Sequence, residues 1–227
     1  SMYWKNHFQD YSYITHFTDI YTFLYSYGFD TVRYQDRAGY NYELQNRVTR
    51  YYMPTKIHKG IAEDNMDNHA KNVYVTGSLK LDYLLDSDRE IGSIWRDNGK
   101  KKRVIWAPHH TLEEPLPYAQ CCAFLDLYDF MLDIAERYRD TVQFAFKPHP
   151  MLKPRLYALW GKRKTDMYYD RWKNGENTQF EDGEYFDLFL SSDAMILDSV
   201  SFIPEYASTG KPAFFTYGEN TRFPVNR

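Results

Sequence analysis

Three short polar clusters in this sequence carry residue types that can bind phosphate or move protons. Each follows a run of residues typical of a buried strand, and the clusters are Pro108-His109-His110-Thr111, Lys147-Pro148-His149-Pro150 and Asp198-Ser199-Val200-Ser201. An imidazole can donate to a phosphate oxygen or act as a general acid or base near neutral pH. Serine hydroxyls and the free backbone N–H groups at a helix start also hold phosphate. The clusters therefore indicate a site for a phosphorylated ligand.

Each cluster also has a structural interpretation that involves no ligand. Ser199 or Ser201 could simply cap a helix. His149 could be a loop histidine that bonds to a neighbouring backbone group. Because Lys147 is close in sequence to His149 and favours an anion there, we expect His149 to be functional.

The remaining histidines and the cysteines give no metal-site pattern. Of His109 and His110, we expect one to face the site and the other to pack, and the sequence does not distinguish them. The chain has no His-x-x-x-His pair, and Cys121 and Cys122 lack the spacing of a zinc site. It also has no Walker A loop and no Gly-x-Gly-x-x-Gly motif. We therefore predict no metal and no cofactor.

The elements that must position these clusters alternate between strands and helices. Predicted strands span residues 104–107, 142–146, 194–197 and 212–217, and predicted helices span residues 121–138, 154–160, 184–190 and 201–209. This alternation predicts an α/β fold, a Rossmann-like parallel sheet flanked by helices. Right-handed crossovers place the C-terminal ends of all strands on one edge, where ligands bind. We therefore expect the three clusters to meet at that edge.

The N-terminal part of the chain gives a weaker pattern. Residues 73–75 are predicted as a strand, residues 80–85 as a helix and residues 86–102 as a polar linker. Residues 19–27 are predicted as a short helix that ends at Gly28, because glycine commonly follows the last turn of a helix. Aromatic residues are frequent near the N-terminus, and we expect them to pack against another domain rather than lie at a membrane interface.

Composition and charge argue against several classes of protein. The net charge is −3 and the only dense basic run is residues 100–103, so no nucleic-acid partner is expected. Hydrophobic residues make up 43% of the chain, but no apolar run approaches the roughly 18 residues of a membrane span. Without a signal peptide or a disulfide framework, the chain is expected to be cytoplasmic.

Four segments carry a resemblance to a known family. They are residues 75–85 (VTGSLKLDYLL), 104–112 (VIWAPHHTL), 144–150 (FAFKPHP) and 187–215. They resemble the CDP-glycerol glycerophosphotransferase family, which includes teichoic-acid polymerases and related capsular and cell-wall polysaccharide proteins. The resemblance covers residues 71–217 and is most specific in the last segment.

This resemblance implies a GT-B fold, in which two Rossmann-like domains face each other across a cleft. Residues 1–90 would then form a partial N-terminal, acceptor-side region with a linker. Residues 91–227 would form the C-terminal half of the fold, a Rossmann-like nucleotide-diphosphate-binding domain.

The last segment is also similar to UDP-sugar 2-epimerases and GT-B glycosyltransferases. In those enzymes an Asp-Ser loop meets the diphosphate and a glutamate on the following helix holds the ribose. The resemblance thus implies that Asp198, Ser199 and Ser201 bind the diphosphate and that Glu205 holds the ribose hydroxyls. A carboxylate can accept two hydroxyl protons, which agrees with that role. The alternative is that Glu205 is an exposed helix residue.

The expected function is that of a transferase that uses CDP-glycerol or a similar nucleotide-activated donor to build a bacterial surface polymer, teichoic acid or capsular polysaccharide. His149 and Lys147 would neutralise charge on the transferred phosphoryl group, while His109, His110 and Thr111 would bind the donor. The acceptor would be a polymer or a lipid-linked chain. The full-length protein is then expected in the cytoplasm or peripherally on the inner face of the membrane.

Two other functions stay open on the sequence alone. One is a sugar-nucleotide glycosyltransferase or a UDP-sugar 2-epimerase, although no convincing set of acid and base carboxylates for an epimerase is evident. The other is a non-catalytic nucleotide-binding module, which the absence of the family's acceptor-side His-Gly-Thr segment favours. For the same reason we expect this chain to be a fragment of a longer enzyme and to be inactive alone.

Overall fold

The computed structural model describes residues 19–29, 39–92, 94–96, 99–112 and 122–218. The chain divides into two compact units, with the division between Asp82 and Tyr83. The assignment of residues 1–90 to an acceptor side and of residues 91–227 to a donor side stays a prediction. None of the described helices combines the length and the apolar composition that crossing a bilayer requires.

The smaller unit contains a three-stranded parallel sheet with strand order β1-β2-β3. Its elements are β1 (Phe23–Tyr25), α1 (Glu43–Arg47), β2 (Arg50–Met53), α2 (Lys56–Asn65) and β3 (Val73–Val75), after which α3 (Leu79–Leu85) begins. Successive side chains of a strand point to opposite faces, so Tyr51 and Met53 are buried while Arg50 is exposed. Together with Ala62 and Val73, the two buried residues form part of the core of this unit.

The short helix predicted for residues 19–27 is wrong, because the structure has strand β1 there. Parallel pairing with β2 holds the strand in place, and the Arg50 N–H donates to the Thr22 carbonyl at 3.1 Å. Aromatic residues suit a pleated strand, and pairing with a distant strand outweighs the local sequence pattern. The strand predicted at residues 73–75 is confirmed.

The larger unit is built around a five-stranded sheet with strand order β6-β5-β4-β7-β8, in which all neighbours are parallel. The strands are β4 (Lys102–Ala107), β5 (Val142–Phe146), β6 (Thr178–Phe180), β7 (Ala194–Leu197) and β8 (Ala213–Phe215). The helices are α4 (Phe124–Arg137), α5 (Leu152–Trp160), α6 (Lys162–Asn174), α7 (Phe186–Ser191) and α8 (Ile203–Ala207). The predicted α/β fold, a Rossmann-like parallel sheet flanked by helices, is confirmed.

The strand order reverses at β4. The chain runs outward from β4 through β5 to β6, then returns to the other side of β4 as β7 and continues to β8. Connections that leave β4 and β7 in opposite directions open a crevice beyond the carboxyl ends of these two strands, which is where ligands bind in open α/β sheets. The loops that follow Ala107 and Leu197 therefore border the expected ligand crevice.

Aromatic side chains dominate the core of the larger unit. Trp106 of β4, Phe146 of β5 and Trp172 of α6 are at most 1% exposed, and their ring centroids lie 5.1 to 5.3 Å apart. Phe124, the first residue of α4, stacks on Trp106 with a centroid distance of 5.7 Å. Burial of each such side chain stabilises the fold by roughly 1.5–3 kcal/mol. This core fixes β4 and β5, and with them the positions of the loops at their ends.

Several element bounds in the larger unit differ from prediction. Helix α6 and strand β6 were not predicted at all. Helix α8 begins at Ile203 rather than at residue 201. Helix α4 begins at Phe124, and residue 121, where its start was predicted, lies outside the described residues.

Candidate functional site

The loops after β4 and β5 bring three histidines together. The His149 N–H donates to the Pro108 carbonyl at 2.9 Å, which ties the two loops to each other. Ring centroids of His109 and His110 lie 4.2 Å apart, those of His110 and His149 also 4.2 Å, and those of His109 and His149 5.2 Å. We call these three side chains the histidine cluster. Since all three rings adjoin one another, the geometry does not separate a site-facing histidine from a packed one.

Asp198 connects the end of β7 to this cluster. Its Oδ1 accepts the backbone N–H of His109 at 2.6 Å, and its Oδ2 accepts the backbone N–H of Ala123 at 2.7 Å. The side chain is 1% exposed, and burial raises its pKa to about 6 even though these hydrogen bonds act in the opposite direction. Both carboxyl oxygens of Asp198 thus accept hydrogen bonds from backbone N–H groups. Asp198 fixes the loop after β4 and the start of α4, while its predicted contact with a diphosphate stays a prediction.

Hydrogen bonding determines the tautomer of His149. The Met151 N–H donates to His149 Nδ1 at 3.1 Å, so Nδ1 carries a lone pair and the neutral ring carries its proton on Nε2. Burial, followed by the charges of His110 and Arg155, lowers the pKa of His149 to about 4. At neutral pH the ring is therefore uncharged and offers one N–H donor at Nε2.

His109 is held in a similar neutral state. Burial is the main cause that lowers its pKa to about 3, and the charges of His110, His149 and Arg155 act in the same direction. Its Nδ1 lies 3.0 Å from the hydroxyl oxygen of Thr111, which is itself 5% exposed. Thr111 therefore orients the His109 ring, and its predicted contact with a donor stays a prediction.

The histidine cluster matches a metal site in residue type. The possible ligand nitrogens of the three rings lie within 4.8 Å of one another, and three histidines form a known zinc ligand set. However, a metal bound at His149 Nε2 would displace the proton to Nδ1, where it would face the N–H of Met151. Arg155 adds positive charge nearby. The arrangement therefore suits an anion that accepts N–H donors better than it suits a cation.

Lys147 is directed toward another loop. It is 5% exposed, and its ammonium donates to the carbonyl of Gly183, beyond the end of β6, at 2.8 Å. Burial lowers its pKa, while the carboxylates of Asp182, Glu181 and Glu184 oppose that change. This contact anchors the loop after β6. The predicted role of Lys147 in neutralising a phosphoryl group is not tested by this geometry.

The serines after β7 form a turn rather than a helix cap. The Ser201 N–H donates to the Ser199 hydroxyl at 3.3 Å, and Ser199 is 6% exposed. Because α8 is preceded by Phe202 as its capping residue, the interpretation of either serine as the cap of this helix is wrong. The turn lies directly after β7, on the other side of the crevice from the end of β4.

Glu205 is buried, so its interpretation as an exposed helix residue is wrong. The side chain is 3% exposed, and its Oε2 accepts the hydroxyl of Tyr185 at 2.7 Å. Tyr185 precedes α7 and packs against Phe189 and Phe202 at centroid distances of 4.9 and 5.0 Å. The tyrosine hydroxyl thus fixes the position of the buried carboxylate, and the predicted contact of Glu205 with a ribose stays a prediction.

Sequence reasoning missed Tyr185 and Arg155. Arg155 lies in α5, the helix that follows the His149 loop, and its charge lowers the pKa of both His109 and His149. Its position near the start of the helix after the His149 loop could have indicated that its charge acts on that loop. Tyr185 carried no such signal, because its partner Glu205 lies 20 residues away in the sequence.

Comparison with known proteins adds information on the fold. No family model and no curated protein matches the chain. Among solved structures, a variant of the wall teichoic acid polymerase TagF is similar with a TM-score of 0.53 and 18% identity, over 82% of this chain and 45% of that chain. The chain shares its fold with this polymerase. The family expected from the sequence is thus represented among its structural neighbours, which are GT-B enzymes.

Two structures determined with UDP are also similar. The Staphylococcus aureus (S. aureus) MnaA structure with UDP has a TM-score of 0.45 and 16% identity, over 74% of this chain and 42% of that chain. A UDP-GlcNAc 2-epimerase from Methanocaldococcus jannaschii, in complex with UDP-GlcNAc and UDP, has a TM-score of 0.48 and 15% identity, over 74% and 45%. The chain therefore spans less than half the length of each of these three proteins.

Proposed function

We propose that this chain is the donor-binding part of a transferase that uses CDP-glycerol or a closely related nucleotide-activated donor to build a bacterial cell-surface polymer. The observation that carries the proposal is that Asp198, the residue after β7, binds the backbone of His109 in the histidine cluster, so the loop after β4 and the start of the Ser199 turn lie at neighbouring strand ends. The fold shared with a wall teichoic acid polymerase supports the same class of enzyme. The acceptor is then a polymer or lipid-linked chain, presented at the inner face of the cytoplasmic membrane.

The diphosphate of the donor would lie across the crevice. His149 Nε2–H donates from one side, and the Ser201 hydroxyl with the backbone of the Ser199 turn contributes from the other. Neutral donors suit this task, because they bind phosphate oxygens without fixing a permanent ion pair. Asp198 acts as a positioning residue, since it holds the backbone of His109 in place.

The ribose would lie against Glu205. Its carboxylate accepts the Tyr185 hydroxyl through one oxygen, which fixes the plane of the group. A ribose presents two vicinal hydroxyl donors, and hydrogen bonds to a charged group are worth about 1.5–3 kcal/mol each. The pair Tyr185 and Glu205 therefore supplies selectivity for a ribonucleotide.

In the transfer step an acceptor hydroxyl attacks the phosphorus atom that carries the glycerol. The new P–O bond forms to the acceptor oxygen, and the bond from that phosphorus to the bridging oxygen breaks, so the nucleoside monophosphate leaves. Negative charge grows on the bridging and non-bridging oxygens during this step. The neutral His149 ring stabilises that charge by donating a hydrogen bond from Nε2–H, which it keeps throughout the step. The nucleoside monophosphate leaves as an anion, while the hydroxyl proton passes to solvent or to a base on the acceptor side.

Binding of nucleotides tests the proposal directly. Thermal unfolding is measured with CDP-glycerol, CDP, UDP and GDP, because a ligand at 100 times its dissociation constant stabilises a protein by about 2.7 kcal/mol. We expect CDP-glycerol and CDP to stabilise the chain most. A chain stabilised by none of these nucleotides would contradict the proposal, and a preference for UDP would transfer it to a sugar-nucleotide enzyme.

The ribose assignment has its own matched test. CDP and 2′,3′-dideoxy-CDP are compared on the parent chain and on Glu205→Gln. The parent should prefer CDP by at least roughly 10- to 100-fold, the worth of one such hydrogen bond. Glu205→Gln should lose most of that preference. A preference that survives in the variant would remove Glu205 from the ribose site, whatever the variant does to stability.

A further inference from the structure

The smaller unit exposes one face of its parallel sheet. The register pairs Phe23 with Arg50, Tyr25 with Tyr52, and Tyr52 with Tyr74, so these five side chains share one face. Phe23 is 55% exposed, Tyr25 52% and Tyr74 44%. Parallel sheets are normally covered on both faces, and a contiguous exposed aromatic surface indicates a binding site.

The rings of this face form a row across the three strands. The ring centroid of Tyr52 lies 4.8 Å from that of Tyr25, 6.2 Å from that of Phe23 and 6.3 Å from that of Tyr74. We call these four rings the aromatic row. Tyrosine combines an apolar ring with a hydroxyl at its edge, so such a row can stack against the C–H groups of a sugar or polyol and hydrogen-bond to its hydroxyls.

Positive charge is concentrated beside the aromatic row. A cleft of about 730 Å³ includes Tyr52 and Tyr74 in its wall, and its charged residues are Arg50, Lys56, Lys59, Lys71 and Glu63. Four cations thus face one carboxylate, although the whole chain carries a net charge of −3. Glu63 lies 3.9 Å from Lys59. The guanidinium of Arg50 lies over the Tyr74 ring at 5.1 Å, which joins the charged and aromatic parts of the surface.

The cations that line the cleft come from separate elements rather than from one loop. Lys56 and Lys59 lie one helical turn apart on α2, while Lys71 comes from the turn before β3 and Arg50 from β2. A site for one phosphate needs donors that converge, whereas distributed cations beside stacking rings suit a chain with repeated negative charges. The concave shape fits a strand-like ligand rather than a flat bilayer.

We propose that the aromatic row and its basic cleft bind an anionic polymer of phosphodiester-linked polyol or sugar units. The choice of this polymer over other polyanions rests on the function proposed above, for which it is the acceptor class. The surface itself lies wholly within the smaller unit. It would hold the growing chain while the larger unit holds the donor.

The test measures binding of a synthetic poly(glycerol phosphate) oligomer to the full chain at low and moderate salt. We expect binding that weakens as salt rises, because cations on the protein displace counterions from the polymer. Lys56→Ala with Lys71→Ala should weaken it at least tenfold, and so should Tyr74→Ser. The matched control, Lys100→Ala with Lys173→Ala, removes the same charge from exposed positions elsewhere and should bind as the parent does.

Three further probes make the outcome decisive. Neutral dextran, single-stranded RNA of equal charge and vesicles containing phosphatidylglycerol are measured in parallel. The proposal is overturned if the parent does not bind the oligomer, if the cleft variants bind it like the control, or if RNA or vesicles bind more tightly and lose binding in the same variants. Thermal unfolding that matches the parent's shows that the variants are folded. CDP binding without oligomer binding would reject this inference alone, and oligomer binding without CDP binding would reject only the proposed donor site.

Discussion

The two units use aromatic residues in opposite ways. In the larger unit, Trp106 and Phe146 belong to strands of the sheet, and their side chains are buried in its core. Polar loops follow these strands at one edge of the sheet. In the smaller unit, Tyr25 and Tyr74 lie on the open face of the sheet itself. The same residue class therefore builds the support of a site in one region and forms the surface of a site in the other. Among the described residues, helices cover the sheet face that holds Trp106 and Phe146, whereas the side chains of Tyr25 and Tyr74 are about half exposed.

We expect substitutions in the two units to affect different kinetic constants. In the full-length enzyme, His149→Ala should lower turnover roughly 10²- to 10³-fold, because the loss of one preorganised hydrogen-bond donor to transition-state charge costs that much. Nucleotide affinity should fall much less, since charge on the phosphoryl oxygens is greatest in the transition state. Steady-state kinetics and CDP binding measure the two effects.

The matched variant in the smaller unit is Tyr25→Ala. It should raise the KM for the polymer acceptor while turnover at saturation stays near that of the parent.

Equal losses of turnover and nucleotide affinity in His149→Ala would reduce His149 to a binding residue. Unchanged kinetics would remove it from the site.

Stability should separate the two aromatic groups. Trp106→Ala should lower the free energy of unfolding by about 3–5 kcal/mol, because it empties a space enclosed by Phe124, Phe146 and Trp172. Tyr25→Ala, which changes a side chain that is 52% exposed, should alter it by no more than about 0.5 kcal/mol. Urea denaturation of both variants checks the difference. A large loss in Tyr25→Ala would mean that the face is a structural core.

A smaller effect is expected at Asp198. Asp198→Asn keeps the shape but can accept only one of the two backbone N–H groups, so the other is left without an acceptor. An unsatisfied buried donor costs about 1–3 kcal/mol. Hydrogen exchange should accelerate at His109 and Ala123 in particular. Hydrogen exchange that accelerates equally across the whole sheet would show instead that Asp198 does not specifically stabilise the backbone at His109 and Ala123.

A pH dependence of stability is also expected from the histidine cluster. The pKa of His149 falls from 6.5 to about 4 on folding, so the stability that its neutral form contributes is present above pH 6.5 and is lost as the pH falls toward 4. His149→Gln has no such proton to take up. The parent should therefore lose more stability than the variant over that interval, and parallel curves would contradict the assigned tautomer and pKa.

Much of the larger unit could be predicted because its strands are continuous apolar runs that end at proline or polar residues. β4 and β5 end in such runs, VIWA and FAF, and β7 consists of one, so parallel topology places their ends on one edge. Helix α6 was missed because its sequence is mostly polar and only Thr165, Tyr168, Tyr169 and Trp172 are buried. In this helix a narrow aromatic stripe, not overall hydropathy, marks the buried face.

The residue types of the site could be predicted, but the hydrogen bonds that hold its loops together could not. The sequence indicated that His149 would meet His109 and His110, because these residues follow directly after two strands of one parallel sheet. It could not show that Asp198 accepts N–H groups from His109 and Ala123, or that Tyr185 reaches Glu205. These hydrogen bonds join residues that are far apart in the sequence, so no local sequence pattern indicates them.

The most direct test of the account is a crystal structure of the chain with CDP. We expect the diphosphate between the ends of β4 and β7, with a phosphate oxygen within hydrogen-bond distance of His149 Nε2 and the ribose hydroxyls at Glu205. A nucleotide that binds elsewhere on the chain, or that lies in this crevice with its base rather than its phosphates at the histidine cluster, would contradict the account.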